Sequence, residues 1–354
     1  MSSIGSASFS MMNGLVDNAA TVRQKLNTLT TQISSGRVSD SYAGLGAGAQ
    51  VSLSVGPQIA HAQTWQANID AASGNMQVTQ TAMSQIQQIA NSFYGQMPSL
   101  NNSAFSEIAS VAQQARSALQ QVANLLDTRN GDTYVFAGQD SANPPVPNPD
   151  TILSSGFYTQ VEAAVGGLAA NGAAATAATT LALGSSNAAG TTPFSAYQSQ
   201  PPLQIPTVQV GDSQRVQIAL LAGANASVTS AGSSTTGSYM RDLMRSLATI
   251  GSLSSSQSGL SGFRELISDT TSSLGSAITA MASDAGNLGN TQTSLAAIRT
   301  SLSDTVTALT AQVSSVQDVD MAAALSQLQL VQTQMQSSYQ LITNWSSMSL
   351  VKFL

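Results

Sequence analysis

The side chains that most often carry out chemistry are scarce in this chain. His61 is its only histidine, and the chain has no cysteine. A Ser-His-Asp triad would have to use His61, and a site with several histidine ligands is impossible. Thiol nucleophiles, Cys-ligated zinc and disulfides are excluded as well. His61 stands at the start of a helical apolar pattern with no acidic residue nearby, which indicates a surface or interface histidine.

Two short motifs could in principle bind an ion. The Gly-Leu-Gly-Ala-Gly segment at residues 44–48 has neither a preceding strand nor the Lys-Ser/Thr of a phosphate loop, so we interpret it as a flexible loop. Asp318 and Asp320 form a D-x-D pair, which alone supplies too few oxygens for Ca²⁺ or Mg²⁺. We predict instead that one of the two caps the following helix. We therefore expect no catalytic, metal or cofactor-binding residues, no cofactor, and no enzymatic activity.

Composition narrows the possible partners. The chain has 354 residues, of which 8% are charged against about 25% in typical soluble proteins, and its net charge is −6. Without runs of Lys or Arg, nucleic acid is not an expected partner. No apolar stretch reaches about 18 residues, so we expect no membrane span.

The first residues lack a basic segment followed by an apolar one, so we expect no cleaved signal peptide. Aromatic residues make up only 5%, which favours thin layers of helices over a thick core.

Apolar residues between positions 65 and 126 recur at alternating steps of four and three. This is the spacing of the a and d positions of a heptad, and it favours helices that coil around a partner. Pro98 lies between two such runs and predicts the end of the first helix. The positions are Trp65, Ile69, Ala72, Met76, Thr79, Met83, Ile86, Ala90 and Phe93, then Ile108, Ala112, Ala115, Leu119, Val122 and Leu126.

The same spacing returns at both ends of the chain. Two runs lie at residues 274–288 and 295–316, and a shorter run lies at 15–33. The last run predicts a seam along the final helix. Its positions are Met321, Leu325, Leu328, Gln332, Met335, Tyr339 and Ile342.

The middle of the chain differs from its ends in composition and in the spacing of its apolar residues. Residues 141–149 contain four prolines and cannot form regular structure. Residues 163–190 are rich in Ala, Gly and Thr, which leaves a small helix, a loose loop or partial disorder open. Apolar and polar residues alternate on both sides of a short polar turn within 207–220, which predicts a β-hairpin.

Together these patterns predict a mostly α fold, with a long, coiled-coil-like helical rod built from the N- and C-terminal segments. We expect a small, partly β outer domain in the middle of the chain. The predicted domains are an inner terminal coiled-coil domain (1–50 and 311–354), a helical rod domain (51–140 and 240–310) and an outer variable domain (141–239, with the hairpin near 207–220).

The terminal helices are expected to act in assembly. Burying five seam side chains near the N-terminus stabilises by roughly 10 kcal/mol. Ordering the same stretch costs about 1–2 kcal/mol per residue in backbone entropy, so such a helix is marginal alone. We expect both ends to fold on meeting each other and further copies. The predicted assembly interface comprises Leu15, Val22, Leu26, Leu29, Ile33, Leu325, Leu328, Met335, Tyr339, Ile342, Leu350, Phe353 and Leu354.

Four segments resemble the flagellin superfamily, and most closely the family of hook-associated protein 3, the hook–filament junction proteins. Residues 34–38 (Ser-Ser-Gly-Arg-Val) are similar to the loop after the family's first helix, although the usual Asp-Asp pair that follows is reduced to Asp40. Residues 130–138 (Asn-Gly-Asp-Thr-Tyr-Val-Phe-Ala-Gly), residues 316–320 and the C-terminal stretch from 334 also match.

The resemblance implies a structural, self-assembling subunit of the bacterial flagellum. It implies copies of the chain, a hook-associated protein and filament flagellin as partners, together with the flagellar type III export apparatus and an export chaperone. The implied location is the extracellular flagellum. Residues 207–211 (Thr-Val-Gln-Val-Gly) resemble a hairpin of filament flagellin, so a filament subunit is the alternative. A secreted binding module or hydrolase carried by the middle domain is a remote alternative.

Overall fold

A computed structural model of the chain describes the backbone of residues 2–100, 105–200, 202–225 and 227–351. Side chains are described for residues 13–100, 107–200, 202–225 and 227–344.

Helices make up most of the described chain, which confirms the predicted fold class. The helices are α1 (Ser2–Ser35), α2 (Gly48–Leu100), α3 (Phe105–Leu126), α4 (Gly156–Gly166), α5 (Leu168–Ser185), α6 (Tyr239–Gly251), α7 (Phe263–Gln317) and α8 (Met321–Val351). The strands are β1 (Arg129–Asn130), β2 (Thr133–Tyr134), β3 (Thr207–Gln209) and β4 (Arg215–Gln217). They form two antiparallel hairpins, β1–β2 and β3–β4.

The chain divides into two compact units. One comprises residues 1–63 and 303–354, and the other comprises residues 64–302. Residues 141–239 belong to the second unit, with the parts of α2 and α7 between 64 and 302.

The predicted seams of α2 and α3 form the core of the second unit. Every predicted position from Ile69 to Phe93 is buried, Trp65 is partly buried, and all six predicted positions of α3 are buried. They share one hydrophobic core with residues of α6 and α7, such as Leu243 and Leu274. The partner that fills these seams is therefore the same chain.

Helices α2 and α7 run antiparallel within this unit. Asp70 pairs with Arg299, and a Cβ on Gly275 would lie 3.2 Å from the Tyr94 ring. From one contact to the next the residue number rises by 24 on α2 and falls by 24 on α7. The missing side chain at Gly275 lets the tyrosine ring lie against α7.

The structure corrects the predicted end of α2 and shows which structure residues 163–190 adopt. Helix α2 continues two residues past Pro98, where the sequence predicts its end. Met97 and Leu100 are both buried, and this burial holds the last turn in place despite the proline. The low-complexity stretch at 163–190, which the sequence left open, forms the end of α4 and all of α5, with a kink at Gly172.

The sequence analysis did not single out α6, whose thirteen residues are all buried, including three charged ones. Arg241 holds the end of α5 and a later loop. Its Nη1 donates to the carbonyls of Gly184 (3.2 Å) and Ser186 (3.1 Å), and its Nη2 donates to Asn187 Oδ1 (2.7 Å). Its Nε donates to the Gly223 carbonyl (2.8 Å). A buried charge is tolerated when it is hydrogen-bonded in this way.

The other two charges of α6 fix the loop that precedes it. Asp242 Oδ1 accepts from the Thr236 amide (2.7 Å). Arg245 donates from Nη2 to the Ser234 carbonyl (2.8 Å) and lies 3.7 Å from Asp269. Burial lowers the pKa of Arg245, and the nearby carboxylates of Asp242 and Asp269 act against that shift. The polar contacts of α6 therefore tie α5, α7 and the loop at 223–238 to one helix.

We expect Arg241→Ala to destabilise the second unit by about 3 kcal/mol or more, because the carbonyls of the buried residues Gly184 and Gly223 and of the partly buried Ser186 lose their donor. The measurement is the urea midpoint followed by circular dichroism. Arg264→Ala, which truncates an exposed arginine at the start of α7, is the control and should change stability by no more than about 0.5 kcal/mol. Equal midpoints for the two variants would contradict the role given to Arg241.

Asp127 fastens the proline-rich segment to the end of α3. Its Oδ1 accepts a hydrogen bond from the Val146 amide at 2.9 Å. Burial raises the pKa of Asp127 to about 6, and the hydrogen bond from Val146 acts against this rise. An unfolded chain has an Asp pKa of about 3.9. The folded chain therefore holds this proton over a pH range in which the unfolded chain has lost it.

It follows that the contribution of Asp127 to stability is greatest below about pH 4 and falls as the pH rises to about 6. Asp127→Asn keeps an oxygen that can accept from Val146 but cannot ionise. We expect this variant to lack that fall and to melt at a higher temperature than the parent at pH 7. The check is the melting temperature of both proteins between pH 4 and 7, with Asp132→Asn at an exposed site as the control. A constant difference across this range would refute the assignment.

Candidate assembly surface

Helices α1 and α8 pack against each other within the unit formed by residues 1–63 and 303–354. Backbone hydrogen bonds link the segment that follows α1 to the segment that precedes α8. Arg37 and Asp318 form an antiparallel bridge, and the Val319 amide donates to the Gly36 carbonyl at 3.0 Å. Because the end of α1 lies beside the beginning of α8 and the two helices pack along each other, they are antiparallel. Gly36 has a φ of 70°, a conformation that glycine adopts without strain.

Asp320 caps α8. Its Oδ1 accepts hydrogen bonds from the amides of Ala322 and Ala323, both at 3.0 Å, which confirms the predicted cap and assigns it to Asp320. Asp318 instead contributes its backbone to the bridge with Arg37. Within the described residues, no three His, Asp or Glu side chains are grouped so that they could hold a metal ion.

The glycine-rich segment at 44–48 serves close packing at the start of α2. A Cβ on Gly48 would lie 2.9 Å from Val316 Cβ, so only glycine lets α2 begin this close to α7. Gln317 Nε2 donates to Ser52 Oγ at 3.1 Å on the next turn. His61 lies farther along α2 and is exposed.

On α1, the predicted residues form one stripe. Leu29 is buried, and Leu15, Val22, Leu26 and Ile33 are partly buried, as is Ala19 between them. These six positions keep the alternating steps of four and three. The stripe is the face that α1 turns towards α8.

On α8, the structure brings only some of the predicted residues into this contact. Leu328, Met335 and Ile342 are partly buried, whereas Leu325 and Tyr339 are 47% and 46% exposed. The buried or partly buried positions of α8 are Ala324, Leu328, Val331, Met335, Ser338 and Ile342.

The predicted seam on α8 is thus rotated from the one that meets α1. Both seams share Leu328, Met335 and Ile342, and the sequence pattern favoured the larger side chains at 325 and 339 over Ala324 and Ser338. Val331, one of the apolar residues left out of the predicted seam, lies at the register that the structure shows. Small residues at Ala324 and Ser338 let the two helices approach.

Leu330 and Leu341, which the sequence analysis did not select, are the most exposed large apolar residues of the described part of α8, at 59% and 57%. They line a shallow groove of about 440 Å³ together with Val22, Asn18 and Thr21 of α1. The predicted interface residues Phe353 and Leu354, and the side chain of Leu350, lie outside the described residues.

Helix α8 combines apolar residues with uncharged polar ones. Helix α8 carries no Asp, Glu, Lys, Arg or His over its 31 residues. Four clefts in the described parts of the chain have volumes of about 320 to 580 Å³, and none of these four is lined by a carboxylate or an imidazole. Among the described residues, no helix has the length and apolarity needed to cross a bilayer.

Two helices side by side make a layer too thin to bury their own apolar residues. Of the six α1 positions that face α8, only Leu29 is buried, and of the six α8 positions only Ala324 and Val331 are. Each further Å² of apolar surface removed from water stabilises by about 25 cal/mol. This pair can therefore bind further helices that cover its remaining faces.

Two protein families match the ends of the chain. The bacterial flagellin N-terminal helical region matches residues 7–143, and the bacterial flagellin C-terminal helical region matches residues 271–354. Together they cover more than half of the chain and leave residues 1–6 and 144–270 unmatched. No curated protein matches the chain.

We expect Leu328→Asp to block self-assembly, because it replaces a partly buried apolar side chain of the α1–α8 contact with a charge. Sedimentation of polymer after ultracentrifugation is the measurement. Gln329→Asp adds the same charge to the next residue, which is exposed, and should leave the polymer yield close to that of the parent. A normal yield from Leu328→Asp would show that this contact is not needed for assembly.

Proposed function

The chain belongs to the flagellin superfamily, and we propose that within it the protein is a hook–filament junction subunit, related to the hook-associated protein 3 family. As a member of the superfamily it is a structural subunit of the bacterial flagellum. The flagellin family is not a family of enzymes, and it is exported to the extracellular flagellum. Its members assemble with themselves and with other flagellar axial proteins.

The observation that carries the assembly role is the incomplete burial of the α1–α8 pair. Leu325, Leu330, Tyr339 and Leu341 remain exposed on a helix without charge, next to a seam that is itself only partly buried. A single folded domain rarely exposes so many large apolar residues on one element without a partner to cover them. Further copies of α1 and α8 supply the missing apolar contacts.

The junction role is supported by the sequence of residues 130–138, and the fold depends on several residues of this segment. Gly131 and Gly138 have positive φ values of 59° and 72°. Phe136 between them is buried, and its carbonyl accepts from the Ala222 amide at 3.1 Å. A Cβ on Gly138 would lie 2.7 Å from Leu221. The glycines and the phenylalanine of this junction-like motif are thus each needed by the fold.

A filament subunit is the second candidate, because of the β3–β4 hairpin. Its first strand carries the Thr-Val-Gln-Val-Gly sequence that resembles filament flagellin, and Val208 pairs with Val216 across it. For either role we propose export through the flagellar type III apparatus with the help of a chaperone. The apolar α8 is the segment that such a chaperone would shield before assembly.

Electron microscopy separates the two roles. We expect the purified chain to form no long filaments by itself, and to attach to the tips of isolated hooks, where its partners differ from itself. The matched control is the Leu328→Asp variant, which should bind neither hooks nor itself. Long filaments that seed themselves would assign the chain to the filament. Absence of both self-assembly and hook attachment would contradict a flagellar structural role.

A further inference from the structure

Asn-Gly pairs occur in the chain at residues 13–14, 130–131 and 171–172. An asparagine that precedes glycine can lose its side-chain amide without an enzyme. The glycine nitrogen gives up its proton to water and attacks the asparagine Cγ, the Cγ–Nδ2 bond breaks, and the amide leaves as ammonia. Water then opens the resulting five-membered succinimide ring at either carbonyl, which gives aspartate or isoaspartate. Because glycine has no side chain to shield its nitrogen, a fold suppresses this reaction only by holding the pair in place.

The first pair is held by a continuous helix. Asn13 and Gly14 lie inside α1, which runs from Ser2 to Ser35. The Gly14 nitrogen reaches the Asn13 Cγ only if the backbone between them leaves its helical conformation. That movement breaks hydrogen bonds on both sides of the pair, so the helix protects Asn13.

The second pair is held by a strand and by a side chain. Asn130 pairs with Thr133 across the β1–β2 hairpin. Its Nδ2, the atom that would leave as ammonia, donates to Asn75 Oδ1 on α2 at 2.6 Å. Both the strand pairing and this hydrogen bond have to open before the Gly131 nitrogen can attack.

The third pair lies at the kink of α5, where neither restraint exists. Gly172 has a φ of 75° and a ψ of 169°, so the helix is interrupted after a single turn. Only glycine adopts this φ without strain, so the fold itself requires the residue that leaves Asn171 open to attack. The Asn171 side chain is exposed and makes no hydrogen bond to any described residue.

The amide of Asn171 is folded back over the preceding turn. A Cβ on Gly167 would lie 2.7 Å from Asn171 Nδ2. A change of rotamer is needed to swing the amide towards Gly172, and exposed side chains change rotamer within picoseconds to nanoseconds. The barrier that remains at this pair is therefore that of the chemical reaction and a local adjustment of the kink.

We propose that Asn171 is a site of spontaneous deamidation in the folded protein, whereas the fold protects Asn13 and Asn130. Water is the co-reactant. Either product places a carboxylate at residue 171, and isoaspartate also adds one methylene to the backbone. A Cβ on Gly262 would lie 3.2 Å from the Ala173 nitrogen, so a longer backbone at the kink presses on the turn before α7.

Peptide mapping by mass spectrometry tests this proposal on the full chain, incubated at mildly alkaline pH. We expect the folded protein to convert Asn171 at least about tenfold faster than Asn13 or Asn130, which corresponds to about 1.4 kcal/mol of local opening at the protected pairs. In urea, the three pairs should react at similar rates. Asn171→Gln, whose longer side chain cannot form the five-membered ring, is the control and should show no conversion at this position.

Asn75→Ala tests the protection of Asn130. This variant removes the acceptor that holds the Asn130 amide. It should speed conversion at Asn130 and leave the rate at Asn171 unchanged, with circular dichroism confirming that the protein stays folded.

Similar rates at the three pairs in the folded protein would overturn the proposal. So would an Asn171 that reacts in urea but stays intact in the folded protein. An unchanged rate at Asn130 in the Asn75→Ala variant would overturn the protective role given to Asn75.

Discussion

The central physical constraint on this molecule is that a layer of two helices cannot bury the apolar residues of both. In the unit formed by residues 1–63 and 303–354, α1 meets α8 along a regular seam, yet most seam residues stay partly exposed. Hydrophobic stabilisation scales with the area removed from water, and backbone ordering costs about 1–2 kcal/mol per residue whether or not that area is buried. We therefore propose that the terminal helices gain much of their stability from contacts with other copies.

The unit at residues 64–302 buries its apolar seams within the chain itself. Its seams on α2 and α3 are covered by α6 and α7, and α6 is buried along its whole length. Arg241 and Arg245 of α6 hold irregular segments against this helix, because they donate hydrogen bonds to backbone carbonyls in those segments. Apolar side chains cannot make such bonds. Thus one unit has a complete core, while the other has an apolar contact that is only half covered.

Much of this organisation was predictable from periodicity. The heptad spacing of α2 and α3 identified core positions such as Met76 and Leu119 correctly, because a stripe of large apolar residues admits only one buried face. On α8 the same reasoning gave a rotated seam, since apolar residues occupy more than one face and the contact with α1 uses Ala324, a small residue that such a pattern underweights. The buried arginines of α6 were not predictable, because an Arg at helical spacing is normally exposed.

The placement of charge follows from the same constraint. An ion or ion pair in a protein interior is tolerated only when its partners are held in good geometry. Arg241 and Arg245 have such partners, since loops of the same chain are fixed around them on folding. On α8 the partners that we propose are other copies of the chain, and a charge buried in such a contact would have no ion partner fixed by its own chain to compensate it. A helix of Gln, Ser, Thr and apolar residues avoids that cost: its amides and hydroxyls hydrogen-bond to water or to a neighbouring copy, and its exposed leucines gain from whichever copy covers them. The absence of charge on α8 is therefore what we expect of a helix whose core is completed between molecules, as proposed for this chain.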